Sequence, residues 1–227
     1  MMSVAMHSED CFVECSCPQT HSSPSSLRAF FEAVRDRVRL IYHPLGFIDM
    51  LPSGVDLRTS RNARRRIALH AWSRHYSTYE NPPSVCHSHG WPMESFLICG
   101  DIDNAIYRVA ETQEDGPTSE YSVEYLPGDR VRMARTGFVS AIVESVEPLA
   151  AGHWYTMSPT DFHDARCTSE FALTAMLAGR RVSPSTVVYE RSEAAIDSTP
   201  RHVLDAVTTK DMLSGISETL EGRALAY

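Results

Sequence analysis

Between Arg66 and Tyr189 the chain alternates short period-two runs with clusters of turn-forming residues, and this rhythm limits the fold more than any other feature. In the stretch 66–74, Ile67, Leu69 and Ala71 alternate with Ala68, His70 and Trp72, which reads as a strand. The same reading applies to Met93–Cys99 and to 102–109, 121–125, 137–146, 153–157, 171–177 and 186–189. Gly100-Asp101, Gly116-Pro117, Pro127-Gly128-Asp129 and Ser158-Pro159-Thr160-Asp161 punctuate them. Many short strands at such intervals predict an antiparallel sandwich or barrel.

The flanks have a different pattern. Residues 1–25 are polar, Ser-rich and aperiodic, as expected of a flexible leader. Leu27, Phe30, Phe31, Val34, Val38 and Ile41 then recur at three- and four-residue steps, which predicts a helix, and 46–62 reads as loop. Helical periodicity returns after Pro200 through Val203, Leu204, Val207, Leu213, Ile216 and Leu220. The expected organisation is a leader (1–25), a helix and loop (26–63), a β barrel (64–191) and a helical extension (192–227).

With 29 acidic against 21 basic side chains in 227 residues, the formal charge of −8 argues against general nucleic-acid binding. The basic run from Arg61 to Arg66 is read as a solvated turn. No apolar run approaches the roughly 20 residues that span a bilayer. The first fifteen residues carry acids where a secretory signal has Lys or Arg, and they lack an apolar stretch. Six cysteines without a CxxC pair call for no disulfide framework, so the cytoplasm is the expected compartment. Cys11, Cys15 and Cys17 with His7 or His21 fit no familiar zinc spacing.

The chemistry lies in Cys86-His87-Ser88-His89-Gly90-Trp91-Pro92-Met93-Glu94. Strand residues two apart share a face, so His87 and His89 project together while Cys86 and Ser88 point away. Two imidazoles so placed can hold one divalent metal, and Glu94, beyond the Gly90–Pro92 turn, can reach back as an oxygen ligand. His163, following Ser158-Pro159-Thr160-Asp161-Phe162 and leading into the strand at 171–177, is expected to close the set, with His153 as its rival. Nitrogen and oxygen donors favour Fe, Mn, Co, Ni or Zn over Ca or Mg. Against this stands the plainer reading of ten histidines in which buried members hydrogen-bond their neighbours.

These residues resemble the first motif of the cupin superfamily, HxH, three or four residues, Glu, then Gly, as His87-x-His89-x4-Glu94-x5-Gly100. Gly152-x6-Pro159-x-Asp161-x-His163 is similar to its second motif, with Asp161 in place of Gly. The resemblance implies a mostly β fold, a double-stranded β-helix or jelly-roll barrel with flanking N- and C-terminal helices. It implies His87, His89, Glu94 and His163 as metal ligands on its inner face. The long stretch between the motifs implies an inserted loop or hairpin at 109–131. Dimers are a further expectation from resemblance.

The expected function is a metal-dependent enzyme, foremost a mononuclear non-haem iron oxygenase using Fe(II) and O2 on a small polar, anionic metabolite. Mn, Ni, Co or Zn would suit an isomerase, lyase or hydrolase on the same scaffold, and a non-catalytic small-molecule binder is the third reading. The thiol dioxygenases of this superfamily often carry Cys where this chain has Glu94 and use a late-strand Tyr, which 175–179 lacks. Glu94 and His70 are the candidate catalytic residues. Trp91, Phe96, Trp154 and Phe162 are candidate pocket walls, and Arg74, Tyr107 and Arg180 candidate anchors for an anion.

Overall fold

The computed structural model describes residues 38–43, 47–52, 66–73, 86–112, 118–126, 130–190, 199–200 and 203–224. Along the chain these form β1 (Val38–Tyr42), β2 (Ile48–Pro52), β3 (Arg66–Ser73), β4 (Cys86–Ser88), β5 (Met93–Cys99), β6 (Asp101–Glu111) and β7 (Thr118–Leu126). There follow β8 (Arg130–Ala150), β9 (Trp154–Met157), β10 (Phe162–Cys167), β11 (Phe171–Ala178), β12 (Ser185–Glu190), β13 (Thr199–Pro200) and helix α1 (Ala206–Ala224).

The strands make two antiparallel sheets, ordered β1-β2-β3-β11-β5-β9 and β13-β8-β6-β10-β4-β12-β7. Their inner faces enclose one apolar layer. Trp72, Met93, Leu97, Ala172 and Met176 from the first sheet meet Ile102, Leu149 and Ala165 from the second. This mostly β arrangement of two packed antiparallel sheets is a jelly-roll-like sandwich. Alternation explains it, because Met93 and Leu97 of β5, Ile102 and Ile106 of β6, and Ala172 and Met176 of β11 turn to the shared interior.

The outer face of the first sheet is also apolar, and α1 covers it. Leu40, Met50, Leu69, Ala71, Leu173 and Ala175 pack against Leu204, Met212 and Ile216. Each Leu or Ile so buried contributes roughly 1.5–3 kcal/mol. Asp205 caps α1, its Oδ1 accepting from the backbone N–H of Val207 and of Thr208. The helix thus lies on the far side of the sheet from the interior and does not act as a lid. Val203 and Val207, expected on its packed stripe, are instead exposed.

The second sheet curls. Strand β8 pairs with β7 over Arg130–Val139 and with β6 over Val139–Ala150, so the strand order returns on itself. This long β7–β8 hairpin occupies the region where an insertion was expected. It encloses a second small apolar cluster of Cys86, Val139 and Val188, with Tyr107 and Phe162 against it.

Several expectations need correction. The helical reading of 26–41 fails at its end, because Val38–Tyr42 is a strand paired with Ile48–Pro52, itself within the expected loop. The same apolar residues satisfy both periods over so short a run, and pairing onto the edge of β3 decides between them. The barrel therefore begins before residue 64, and β13 extends it past 191. Strand β10 was missed: His163 sits within its own strand rather than in a lead-in to β11. The leader and its cysteines lie outside the described residues.

Gly100, between β5 and β6, has φ +75°, and a Cβ there would sit 2.1 Å from the Phe171 carbonyl oxygen. Gly100→Ala should cost about 2–4 kcal/mol in urea unfolding. Gly137→Ala, which meets nothing within 4 Å, should stay within about 0.5 kcal/mol. Equal costs would show that the β5–β6 turn does not require glycine.

Candidate metal centre

Strand β4 is three residues long, but it is wedged between β10 and β12, and the register places His163 directly opposite His87. Both side chains turn into the space between the sheets and are buried. His89 lies just past the end of β4 and joins them. The ring centroids are 4.4 Å apart for His87–His163, 4.9 Å for His87–His89 and 5.1 Å for His89–His163. One nitrogen from each lies within 4.8 Å of the others.

The loop carrying His89 is held by backbone. Gly90 O accepts from Val182 N and Ser183 N, and Gly90 N donates to Ser185 Oγ. A Cβ on Gly90 would stand 2.2 Å from Ser183 O, so only glycine allows this close approach.

His163 Nδ1 lies 2.8 Å from Asn104 Oδ1. That oxygen can only accept, so Nδ1 carries the proton and Nε2 keeps its lone pair. His163 Nε2 faces His89 Nε2 at 3.0 Å. A cation about 2.1 Å from each nitrogen would see the two at about 90°, so the spacing fits two adjacent ligands of one transition metal. The outer hydrogen bond of His163 to Asn104 is the support that ligating histidines require.

Burial, reinforced by the neighbouring imidazoles, holds His89 and His163 well below the usual imidazole range. Burial and the field of His87 bring His70 down to about 4. These three rings are therefore neutral at pH 7, the form that donates to a metal. Cys86 points away from His87, and burial with the Asp164 charge pushes its thiol up to about 12, so it stays protonated and inert.

Glu94 does not join the cluster, contrary to expectation. Met93 and Leu97 of β5 fill the inter-sheet core, so Glu94 and Phe96 alternate to the opposite face. There Glu94 lines a surface depression with Thr156, Ser158 and Asp161. Phe96 packs against Trp154 on that outer face, the tilted rings 4.9 Å apart, and Trp154 is exposed, so neither walls the centre. Tyr107 packs in the second cluster under the hairpin, Arg180 is exposed, and Arg74 lies outside the described residues. His153 is exposed, its Nδ1 bonded to Ala150 O, and is no rival to His163.

Trp91 is brought to the site, its ring 5.7 Å from His89, with the Arg181 guanidinium over its face at 5.4 Å. His70 also faces inward with Trp72, and its Nε2 is 3.3 Å from Asp49 Oδ1. Sequence reasoning missed Arg181, Asn104 and Asp49. The last two had a signal: Asn104 stands between Ile102 and Ile106 at an inward position, and Asp49 interrupts the apolar run 47–50.

No family model matches the chain, and no curated protein matches it. Among solved structures, it is similar to the Drosophila melanogaster CENP-C cupin domain, with 7% identity and a TM-score of 0.34 over 63% of this chain and 77% of that one. It is also similar to Drosophila melanogaster CENP-C bound to CAL1, with 8% identity and a TM-score of 0.34 over 68% and 94%. Among the described residues, no helix is long and apolar enough to cross a membrane.

Because folding lowers the affinity of His70, His89 and His163 for protons, the unfolded chain binds more of them below pH 6.5. Stability then rises with pH across that window, which for His70 runs from about 6.5 down to about 4. Urea unfolding of the metal-free protein should therefore show a steady loss of stability from pH 7 to pH 4.5. His89→Gln should flatten the slope, and an unaltered slope would contradict buried neutral rings.

Proposed function

We propose that this chain is a metal-dependent enzyme of cupin fold in which His87, His89 and His163 hold one divalent transition metal. The observation that carries the reading is the convergence of three imidazoles, two buried and one half-buried, one of them committed by Asn104 to present its Nε2. Fe(II) is the first candidate, and Mn, Ni, Co or Zn suit the same donors. When bound, iron would supply a centre able to take substrate and O2 side by side, and the other metals a Lewis acid that polarises a carbonyl or activates water.

The chain's own groups define the rest. Three neutral imidazoles leave the ion's full charge, which favours a small polar, anionic substrate. Arg181 and Trp91 flank His89 and take the anchoring role first sought at Arg180. The Trp91 indole N–H is buried with no acceptor among the described residues, and it can donate to a bound carboxylate. His70, inward-facing with its Nε2 3.3 Å from Asp49 Oδ1, is the candidate to exchange a proton with such a ligand. Free thiols at Cys86, Cys99 and Cys167 suit a reducing cytoplasm.

A second reading has one observation in its favour. The 3.0 Å contact between His89 and His163 also serves as a hydrogen bond in a metal-free polar core. Elemental analysis of the purified protein separates the two: about one equivalent of metal supports the enzyme, and none supports the polar core. His87→Ala should abolish bound metal and turnover together, and Asn104→Ala should weaken metal binding about 10–100-fold. O2 uptake with candidate acids and amines then separates oxygenase from isomerase, lyase or hydrolase chemistry. Metal without any turnover identifies a binding protein.

A further inference from the structure

We infer that Arg181 is a positioning residue for His89: it clamps the loop between β11 and β12 onto the turn that follows β4, and so sets where the third imidazole stands. The inference rests on the three-histidine reading above and concerns how one ligand of that set is held.

Strands fix the other two. His87 has Val187 on one side and His163 on the other, and His163 has Ile106 beyond it. Among the described residues His89 has no strand partner, because it stands one residue past the end of β4. Its backbone is held through its neighbour Gly90, by the loop from Gly179 to Pro184. Val182 N and Ser183 N donate to Gly90 O at 2.7 and 3.2 Å, and Gly179 N donates to Pro92 O at 2.8 Å. Gly90 N donates in turn to Ser185 Oγ at 3.1 Å.

The Arg181 side chain ties these contacts together. Its Nε donates to Ser183 O at 3.2 Å and its Nη2 to Ser185 Oγ at 3.3 Å. The buried Ser185 hydroxyl thus accepts from Gly90 and from Arg181, one donor for each lone pair. The guanidinium carbon lies 5.4 Å from the centre of the Trp91 ring, which is itself 5.7 Å from the His89 ring. A Cβ on Gly90 would come within 2.9 Å of Nε, so the side chain crosses directly over the residue next to His89. Only a planar fork can bond two acceptors and cover an aromatic face together, and an ammonium group lacks that shape.

Charge makes the role separable from its rivals. Arg181 is a cation close to where a divalent cation would sit. By repulsion alone, removing it strengthens metal binding. As a positioning residue it has the opposite effect, because a loosened His89 binds less well. A residue that only anchors substrate leaves metal affinity unchanged.

The test uses the full chain and Zn2+, with affinity read by competition against a chromophoric chelator. Arg181→Ala should weaken Zn2+ binding about tenfold, and Arg181→Lys, which keeps the charge without the fork, should not restore it. Arg180→Ala, at the exposed neighbour, should stay within about twofold. In a His89→Ala background, Arg181→Ala should cost nothing further. Unchanged or tighter binding by Arg181→Ala overturns the inference. Full recovery in Arg181→Lys, an equal loss in Arg180→Ala, or an added loss on top of His89→Ala does the same. Failure of the unmodified chain to take up Zn2+ instead overturns the metal reading beneath it. Should Arg181→Ala not fold, the unmodified chain decides by amide hydrogen exchange. A clamp that holds His89 for the metal must itself be tightened by the metal, so one equivalent of Zn2+ should slow exchange at Gly90 and Val182, and unaltered rates there overturn the inference.

Discussion

Strand β10 runs between β4 and β6 in a single register that sets His163 beside His87 on one side and Ile106 on the other. A slip of one residue would turn Phe162 inward and His163 into the cluster under the hairpin, because strand side chains alternate with period two. Both ladders oppose that slip. Ala165 fills the inter-sheet layer, and His163 bonds Asn104 through its Nδ1. Every chemical property of the centre depends on this register, since His87 and His89 alone present only two nitrogens.

The electrostatics follow from where the rings sit. Burial keeps His70, His89 and His163 from holding protons, which costs stability in acid and leaves lone pairs available near neutrality. The interior that makes these rings good donors also makes an uncompensated cation expensive.

Much of this was legible in the sequence, for identifiable reasons. Period-two alternation located β5, β9 and β11 within a residue or two, and the HxH spacing identified two of the three clustered histidines. Val38–Tyr42 misled because five apolar-rich residues fit a helix as well as an edge strand. Strand β10 was hidden because both of its faces are buried, one against the histidines and one beneath the hairpin, so Phe162-His163-Asp164-Ala165 shows no clean alternation. Glu94 misled because the motif fixes its position along the chain but not its face, and the face is set by how the Gly90–Pro92 turn enters β5. Asn104 and Asp49 were overlooked although each interrupts an apolar pattern, and a polar residue at a core position usually has a partner to meet.

The curl of the second sheet gives β4 two interiors, with His87 in one and Cys86 in the other. Adjacent residues of a three-residue strand thus belong to separate compartments divided by one peptide plane. Bulk added or removed around Val139 and Val188 presses on the backbone that carries an imidazole, with no contact to that imidazole itself. Sequence drift in the hairpin therefore becomes a means of adjusting donor geometry while the donors stay unchanged.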